Sequence, residues 1–315
     1  MRILINDGID PQGKKILEDA GFDVVVERIA QEKLIDELNN FDAITVRSAT
    51  KVRKEHIDAS PNLKLIGRGG VGMDNIDVEY ARSKGITVVN TPASSSLSVG
   101  ELVFAHFLNG VRFLYDANRQ MPQKGDSEFA SLKKKYAKGV ELKGKTLGVI
   151  GFGRIGRETA KIGLGLGMDV IYSDLLEGPE HLSLTFTGNT NVNLPVKQLE
   201  LDKIIEQSDF ISLHVPASDK ALIGASEFAK MKEGVALVNA SRGGVIDESA
   251  LIQALDSGKV AFAGLDVYEN EPTPKKEILT HPKISLTPHI GAATGEAQQR
   301  IGEELANLII ENLAK

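Results

Sequence analysis

The chain contains no cysteine among its 315 residues. This excludes disulfides, thiolate catalysis and cysteine-ligated metal sites, and it is typical of proteins from a reducing compartment. The net charge is only −6, so we expect no basic surface for nucleic acid or for an anionic membrane. The N-terminus runs directly into a predicted strand and lacks the apolar stretch of a signal peptide. We therefore expect a cytoplasmic protein with neither a nucleic-acid nor a membrane partner.

Long apolar runs are absent as well. The most apolar predicted helix, 102–114, is interrupted by four residues that do not suit a bilayer: His106, Asn109, Gly110 and Arg112. Because the helix over 99–114 is apolar on more faces than a surface helix needs, we expect it to help form a symmetric homodimer. The histidines lack the spacing of metal ligands, so no metal site is predicted.

Short apolar strands alternate with amphipathic helices from end to end, which predicts parallel α/β layers. Five strands are predicted in the first part of the chain, near 3–6, 23–26, 43–46, 63–66 and 87–89. A second series is predicted near 146–150, 168–173, 210–213, 235–239, 260–265 and 284–286. The polar segment 178–194 is interpreted as a long loop. The last predicted helix, 295–313, is expected to pack back on the first series.

A glycine-rich motif, Gly151-Phe-Gly-Arg-Ile-Gly156, follows the first strand of the second series. In a strand, turn and helix of this kind, the first glycine makes the tight turn and the second lets the backbone approach a pyrophosphate. The third lets the helix pack closely on the strand, with its N-terminus facing the phosphates. Asp174 follows 18 residues after Gly156, near the ~20 expected for an acid that binds the adenosine ribose.

Asp174 also bears on which dinucleotide binds. Its carboxylate would repel a 2′-phosphate, and the next residues, Leu175 and Leu176, offer no cation. NAD is therefore predicted rather than NADP. Because this motif lies in the middle of the chain, we expect a discontinuous substrate domain, 1–98 plus 288–315, and a nucleotide-binding domain, 99–287.

Three predicted strand exits carry residues that are unusual for packing alone. Arg242 follows the strand at 235–239, Glu271 lies in the acidic loop after 260–265, and His289 follows a proline after the last strand. Ligands bind at strand exits of this kind in open α/β sheets, and an arginine there can clamp a carboxylate bidentately. The set supplies a cation for a substrate, a proton donor, and an acid to orient that donor, which are the parts that hydride transfer requires.

These motifs, in their order and spacing, resemble the D-isomer-specific 2-hydroxyacid dehydrogenase family over essentially the whole chain. The resemblance implies a Rossmann NAD-binding domain inserted into a flavodoxin-like substrate domain. It also implies that Arg242 binds the substrate, that His289 is the acid/base and that Glu271 tunes it. By motif and resemblance the predicted cofactor-binding residues are Gly151, Gly153, Arg154, Ile155, Gly156, Asp174, His214, Val215, Pro216, Ala240, Ser241, Asp266, Gly291 and Ala292.

Within this family, the stretches 46–52 and 66–77 are most similar to the D-3-phosphoglycerate dehydrogenases. The resemblance implies NAD-dependent oxidation of D-3-phosphoglycerate to 3-phosphohydroxypyruvate, the first step of serine biosynthesis. Backbone N–H groups of the glycine turn at 69–72 are expected to face the substrate carboxylate, and Arg47 with Arg68 to bind a phosphate. The predicted substrate-binding residues are Arg47, Arg68, Gly69, Gly70 and Val71.

Several alternatives stay open. Arg47 can instead end its strand and pair with a neighbouring acid. A glyoxylate/hydroxypyruvate reductase on the same scaffold would not need Arg47, and the loop 91–98 lacks the asparagines common in relatives. An NAD-sensing, corepressor-like interaction protein is the alternative of another class, and the presence of Arg242, Glu271 and His289 argues against it. The chain ends soon after its last predicted helix, so we expect no C-terminal regulatory domain.

Overall fold

The computed structural model describes residues 1–313. The chain divides into two compact units: one combines Met1–Ser98 with the chain from Ala292 onward, and the other is Val99–Gly291. The second boundary therefore lies four residues beyond the expected one at 287/288. The reason is local, since the backbone N–H groups of Ile290 and Gly291 donate to Asp266 within the second unit.

The first unit is a five-stranded sheet in which all neighbouring strands are parallel, in the order β2-β1-β3-β4-β5. This is the flavodoxin-like winding. Its strands are rich in apolar residues, because helices cover both faces of a parallel sheet. Its elements are β1 (Arg2–Ile5), α1 (Pro11–Asp19), β2 (Asp23–Val26), α2 (Gln31–Glu37), β3 (Ala43–Val46), α3 (Lys54–Asp58), β4 (Leu65–Arg68), α4 (Val78–Ser83), β5 (Thr87–Asn90) and, from the end of the chain, α13 (Gly295–Leu313).

Helix α13 has the predicted bounds and packs on α1, β4 and β5 of the first unit. Its buried stripe includes Ile301, Leu305 and Ile309, which recur every four residues as one helix face requires. The two helices α1 and α13 approach so closely that a Cβ at Gly13 would lie 2.6 Å from the carbonyl carbon of Gly302. The predicted return of the last helix to the first series is therefore present.

The second unit contains a seven-stranded parallel sheet in the order β10-β7-β6-β11-β12-β13-β14. Counted within this sheet, the order is 3-2-1-4-5-6-7, which is the Rossmann order 3-2-1-4-5-6 with a seventh strand at the edge, so the predicted fold class is confirmed. Its elements are α5 (Ser96–Val111), which starts at the end of the first unit, α6 (Leu114–Lys124), α7 (Phe129–Lys135), β6 (Thr146–Ile150), α8 (Arg154–Gly165), β7 (Asp169–Ser173), β8 (His181–Phe186), β9 (Thr190–Pro195), β10 (Lys197–Gln198), α9 (Leu201–Gln207), β11 (Phe210–Leu213), α10 (Ala225–Lys230), β12 (Val235–Asn239), α11 (Glu248–Ser257), β13 (Val260–Leu265), α12 (Lys276–Thr280) and β14 (Ile284–Leu286).

The predicted apolar helix is shifted towards the N-terminus. Helix α5 begins at Ser96 and ends at Val111, because Phe113 adopts a left-handed conformation with φ of 57° before α6. Its apolar side chains, among them Val103 and Phe107, lie in the core of the second unit. Within residues 1–313, no single helix is long and apolar enough to span a membrane, although α5 and α6, bent by 53°, meet the length and composition test as a pair.

The interpretation of 178–194 as a loop is wrong. Strands β8 and β9 form an antiparallel hairpin there, with Gly188 and Asn189 in left-handed conformations at its turn. Leu182 and Leu184 alternate with polar neighbours and are buried in the core of the second unit. The apolar residues alternate with a period of two in both strands, as Leu182, Leu184 and Phe186 in β8 and as Val192 and Leu194 in β9. The polar, glycine-containing composition of the segment conceals this pattern.

Candidate active site

The predicted cofactor residues of the second unit follow the ends of five neighbouring strands. Asp174 follows β7, Gly151 follows β6, His214 follows β11, Ala240 follows β12 and Asp266 follows β13. Because all strands of this sheet are parallel, their carboxyl ends lie along one edge. Ligands of open α/β sheets bind at this edge, where the strand order reverses.

The glycine turn between β6 and α8 has the geometry that a pyrophosphate requires. Gly151 has a φ of 89°, and a Cβ there would lie 2.4 Å from the carbonyl oxygen of His214. A Cβ at Gly156 would lie 2.1 Å from the carbonyl oxygen of Gly151, so only glycine lets α8 come this near to the turn. Gly153 precedes α8 with no side-chain cap, and no heavy atom lies within 4 Å of the place where its Cβ would be. The first N–H groups of α8 thus lack a side-chain acceptor and suit an anion.

The side chain of Asp174 is held beside this turn. Its Oδ2 accepts a hydrogen bond of 2.5 Å from the N–H of Phe152, and its Oδ1 accepts one of 3.1 Å from the N–H of Leu176. Leu175 and Leu176 are exposed, and neither provides a cation for a 2′-phosphate. Arg154 is exposed at the start of α8, where a cation can face a phosphate, while Ile155 packs against the core.

His214 connects the end of β11 to the glycine turn. Its backbone N–H donates to the carbonyl of Ile150 at 2.7 Å, and its Nε2 lies 2.8 Å from the hydroxyl of Ser212. Burial lowers the pKa of its imidazole to about 3, so the ring is neutral. The next two predicted residues, Val215 and Pro216, are half-buried and exposed, respectively. Among the described residues, no group of three or more acidic or histidine side chains that could hold a metal occurs.

Arg242 lies in a turn that is braced from within. The amide nitrogen of Asn239 donates to the carbonyl of Arg242 at 2.8 Å, and its amide oxygen accepts from the N–H of Ser241 at 3.0 Å. A Cβ at Gly243 would lie 1.9 Å from the carbonyl oxygen of Tyr268, so the β12 turn directly contacts the loop that carries Glu271. The guanidinium of Arg242 is half-buried and donates to the Ser241 carbonyl at 2.7 Å.

His289 and Glu271 form a hydrogen-bonded pair, with 2.9 Å between Nδ1 and Oε2. Burial alone would raise the pKa of Glu271, but the hydrogen bonds from His289 and the Tyr268 N–H, with the charges of His289 and Arg242, outweigh it and lower this pKa. The ionised carboxylate can only accept, so Nδ1 of His289 carries the proton of this bond. Within residues 1–313, Nε2 of His289 has no partner, and 42% of the side chain is exposed.

Asp266 anchors the loop that carries His289. Its side chain is 1% exposed; Oδ1 accepts from the hydroxyl of Thr287 at 2.7 Å and from the N–H of Ile290 at 2.8 Å. Its Oδ2 accepts from the N–H of Gly291 at 2.8 Å. Both oxygens are thus engaged by this chain, and cofactor binding by Asp266 stays a prediction.

Two polar residues around this loop, His106 and Glu248, were not predicted as part of the site. His106 was interpreted only as an interruption of an apolar helix, yet it is buried and bonds to Ser285 and Thr287. Glu248, also missed, is buried and accepts a hydrogen bond from the backbone of Glu269, in the same loop as Glu271. The available signal for His106 was its position on the core-facing stripe of α5, where a polar side chain needs a partner.

The predicted substrate residues lie in the first unit, at the carboxyl ends of the adjacent strands β3 and β4. The N–H groups of Gly69 and Gly70 donate to the carbonyls of Val46 and Arg68, so they are not available for the predicted anion nest. Val71 is exposed. The guanidinium of Arg68 contacts the Gly69 carbonyl and the hydroxyl of Ser48. Ala292 also belongs to this unit, and its carbonyl accepts from the Gln298 side chain.

Comparisons with known proteins agree with this arrangement. The sequence model for the NAD binding domain of D-isomer specific 2-hydroxyacid dehydrogenases matches residues 104–291. A hydroxypyruvate reductase of Thermotoga maritima is 42% identical over 99% of this chain and 98% of its own length. The D-3-phosphoglycerate dehydrogenase of Homo sapiens is 41% identical over 97% of this chain, which spans only 55% of that relative.

Among solved structures, a D-lactate dehydrogenase from Aquifex aeolicus, complexed with NAD and lactic acid, superposes with a TM-score of 0.80. It is 29% identical and covers 99% of this chain and 97% of its own. The matched family domain binds NAD, and the glycine turn with Asp174 has the geometry for it. The chain therefore belongs to the D-isomer specific 2-hydroxyacid dehydrogenase family and is an NAD-dependent enzyme of that class.

Proposed function

We propose that this enzyme oxidises D-3-phosphoglycerate to 3-phosphohydroxypyruvate, the reaction that begins serine biosynthesis. The observation that carries the proposal is the side chain of Arg47. Within residues 1–313, its guanidinium forms no hydrogen bond or ion pair, although the residue is half-buried. A cation that is partly desolvated and unpaired in a protein is a ready partner for a phosphate.

The acid beside Arg47 does not neutralise it. Asp7 accepts the backbone N–H of Arg47 at 2.6 Å, and the N–H and hydroxyl of Thr50 at 3.1 and 2.7 Å. Asn75 in turn donates to the carbonyl of Arg47 at 2.7 Å. The backbone of Arg47 is therefore fixed by hydrogen bonds while its guanidinium stays available. These contacts argue against the alternative in which Arg47 serves only to pair with an acid.

The second unit supplies the groups for the chemistry. Nε2 of His289 accepts the proton of the substrate C2 hydroxyl, and the Glu271 carboxylate stabilises the resulting imidazolium through Nδ1. Arg242 binds the substrate carboxylate and the developing carbonyl oxygen. When bound, NAD would supply the hydride acceptor, which is its nicotinamide ring.

The test of the substrate compares Arg47→Ala with Arg28→Ala. Arg28 is exposed in the same unit and has no side-chain partner within the described residues, so its removal controls for net charge. A charge-assisted hydrogen bond contributes about 1.5–3 kcal/mol. We expect kcat/KM for D-3-phosphoglycerate to fall about 10- to 150-fold in Arg47→Ala, and to stay near wild type in Arg28→Ala. Turnover of D-glycerate should change little in both.

A change of less than twofold for phosphoglycerate in Arg47→Ala would contradict phosphate recognition by this residue. In that case the second candidate, a glyoxylate/hydroxypyruvate reductase, gains support. The Thermotoga maritima relative with that name favours it, because it matches this chain over nearly its whole length. Reduction of unphosphorylated hydroxypyruvate with NADH, faster than that of its 3-phospho form, would be its signature.

The roles of the catalytic pair are tested with His289→Gln. Glutamine retains a polar group at this position but cannot accept and release the hydroxyl proton near neutral pH. We expect turnover to fall by more than about 100-fold, while NAD binding, measured by calorimetry, is retained. Unchanged turnover would remove His289 as the acid/base. Absence of any turnover in the wild type would favour an NAD-sensing interaction protein instead.

The apolar surface that follows α5 supports the proposed homodimer. Five side chains from the end of α5 to the start of α7 are large, apolar and 37% to 59% exposed: Phe113, Leu114, Tyr115, Met121 and Phe129. Exposed apolar groups in this number mark an association surface. Sedimentation equilibrium should give a dimer for the wild type and a monomer for Leu114→Glu with Phe129→Glu. The cytoplasmic location stays a prediction.

A further inference from the structure

His106 is the most buried polar side chain of α5, with 2% of its surface exposed. It packs over Gly264 of β13, where a Cβ would lie 2.6 Å from the Cβ of the histidine. Its Nδ1 lies 2.8 Å from the hydroxyl of Ser285, and its Nε2 lies 3.0 Å from the hydroxyl of Thr287. The imidazole thus joins the last strand of the sheet to the first residue of the loop that follows it.

The direction of the hydrogen bonds is determined at both ends of this chain. At one end, the amide oxygen of Asn109 accepts from the N–H of Tyr115 at 2.8 Å, so its amide nitrogen is the atom that donates to Ser285 at 2.7 Å. At the other end, the carboxylate of Asp266 has no hydrogen to give. The hydroxyl of Thr287 must therefore donate to it, at 2.7 Å.

These two ends leave one arrangement for the imidazole between them. Because the single hydroxyl hydrogen of Thr287 is used on Asp266, Thr287 must accept from Nε2–H of His106. Burial lowers the pKa of His106, against the smaller opposing effect of the Asp266 charge, so the ring is neutral. Its Nδ1 is then an acceptor, and it receives the hydroxyl hydrogen of Ser285.

Asp266 connects these hydrogen bonds to the loop of the proposed acid/base, His289. It accepts the N–H groups of Ile290 and Gly291, both at 2.8 Å, which belong to the two peptide bonds that follow His289. His289 itself has a φ of 55°, a left-handed conformation that costs free energy for any residue with a Cβ. The loop must be held to keep it, and Asp266 provides the hydrogen bonds that do so.

We propose that His106 is a positioning residue for His289: as the neutral Nε2–H tautomer it donates to Thr287, which directs the Thr287 hydroxyl to Asp266 and so holds the 287–291 loop in its active conformation. The inference rests on the proposed function, in which His289 moves the substrate proton. His106 itself is buried and acts through the loop.

Two amide variants separate the two bonds of the ring. In His106→Gln, the terminal amide reaches the level of ring Nε2 and can donate to Thr287. In His106→Asn, the shorter side chain reaches only the level of Nδ1 and can accept from Ser285, which leaves Thr287 without its donor. Because a misplacement of about 1 Å can reduce a rate about 100-fold, we expect kcat to fall about 10- to 100-fold in the asparagine variant.

The glutamine variant should keep kcat within about threefold of wild type, on the same argument that position determines the rate. KM for NAD should be similar in the two variants, since the glycine turn is unchanged. Their melting temperatures should also be similar, since each variant keeps one of the two hydrogen bonds of the ring. Equal losses of kcat in both variants would overturn the proposal, because the Thr287 bond would then not matter. Full activity of the asparagine variant would overturn it as well.

A spectroscopic measurement tests the proposal without activity, and it decides the matter if the asparagine variant does not fold. Nitrogen-15 spectra of histidine-labelled wild type at pH 7.5 should show the His106 ring as the neutral Nε2–H tautomer. His106→Gln identifies that signal by its loss among the six histidines. An Nδ1–H tautomer or a charged ring would refute the inference and leave the proposed function intact. Wild type that turns over no D-2-hydroxy acid would refute the function instead.

Discussion

Gly153 and Gly156 lie in the same turn, yet alanine at each position should damage the protein in a different way. At Gly156, the added Cβ would lie 2.1 Å from the carbonyl oxygen of Gly151, whereas ordinary contact begins at 3.4 Å. The atom in the way is backbone, so α8 must move by roughly 1 Å, and overpacking of this kind costs about 1–3 kcal/mol. For a domain of this size, that lowers the melting temperature by about 2–12 °C.

At Gly153 we expect the opposite, a small loss of stability and a large loss of NAD affinity. Its φ is −71°, and nothing lies within 4 Å of an added Cβ, so the fold accepts alanine. Replacement of glycine by alanine before the first residue of a helix costs about 0.5 kcal/mol, or about 1–2 °C. The same methyl group, however, would fill the space through which a pyrophosphate approaches the backbone. We expect the Kd for NAD to rise at least about tenfold, which is about 1.4 kcal/mol.

The assay measures both quantities on both variants. Thermal unfolding, followed by circular dichroism without cofactor, reports the stability, and calorimetric titration with NAD reports the affinity at a temperature where both variants are folded. Wild-type affinity in Gly153→Ala would refute the approach of the pyrophosphate to this residue. A wild-type melting temperature in Gly156→Ala would refute the close contact between α8 and the turn.

Three further predictions concern the second unit. Phe107, fully buried with edge-on contacts to Phe104 and Phe210, should cost about 3–5 kcal/mol in urea unfolding when replaced by alanine; a loss below about 1 kcal/mol would contradict its packing. Burial raises the pKa of Glu248, so the folded state holds this proton more tightly and loses stability as pH rises through that raised pKa. Glu248→Gln should therefore be more stable than wild type at pH 8 and similar at pH 4 in urea unfolding, and the reverse order would contradict this. Asp174→Ala should weaken NAD binding about tenfold without conferring NADP binding in calorimetric titrations, because Leu175 offers no cation; tight NADP binding would show that the carboxylate alone excluded it.

Most strands and the layered order of the fold were predictable, because each depends on a few consecutive residues. The strands at 43–46 and 210–213 are buried on both faces, and apart from Thr45 and Ser212 they consist of apolar residues. The glycine turn was predictable for a similar reason, since its three glycines lie within six consecutive residues. The helix over 295–313 was predicted to the residue because its apolar stripe, which includes Leu305 and Ile309, ends at Leu313.

The hairpin at 181–195 was not predictable in this way. A two-stranded hairpin has little stability by itself, and this one depends on Leu182 and Leu184 meeting a core built by residues distant in sequence. The end of α5 was missed for another reason. Phe113 has no local signal for a left-handed conformation, which glycine or asparagine would have given.

The candidate site was also predictable only in part. Arg242, Glu271 and His289 were singled out because each follows a strand, and the strand order of a parallel sheet brings such residues to one edge. Sequence alone cannot state that Nδ1 of His289 lies 2.9 Å from Glu271, because that distance depends on the adjacency of β13 and β14. The same adjacency brings the loop after β14 to Asp266, which accepts hydrogen bonds from it.

His106 shows why a pattern of apolar residues conceals part of a site. It occupies the stripe that Val99, Val103 and Gly110 also occupy on α5, and a pattern that counts apolar residues treats it as a defect. Yet burial makes it specific, because most buried polar atoms are hydrogen-bonded, and both nitrogens of His106 have partners. Those partners, Ser285 and Thr287, are about 180 residues away and become neighbours only when α5 packs on β13 and β14. The conformation of the His289 loop thus depends on a residue that the sequence places in a core helix.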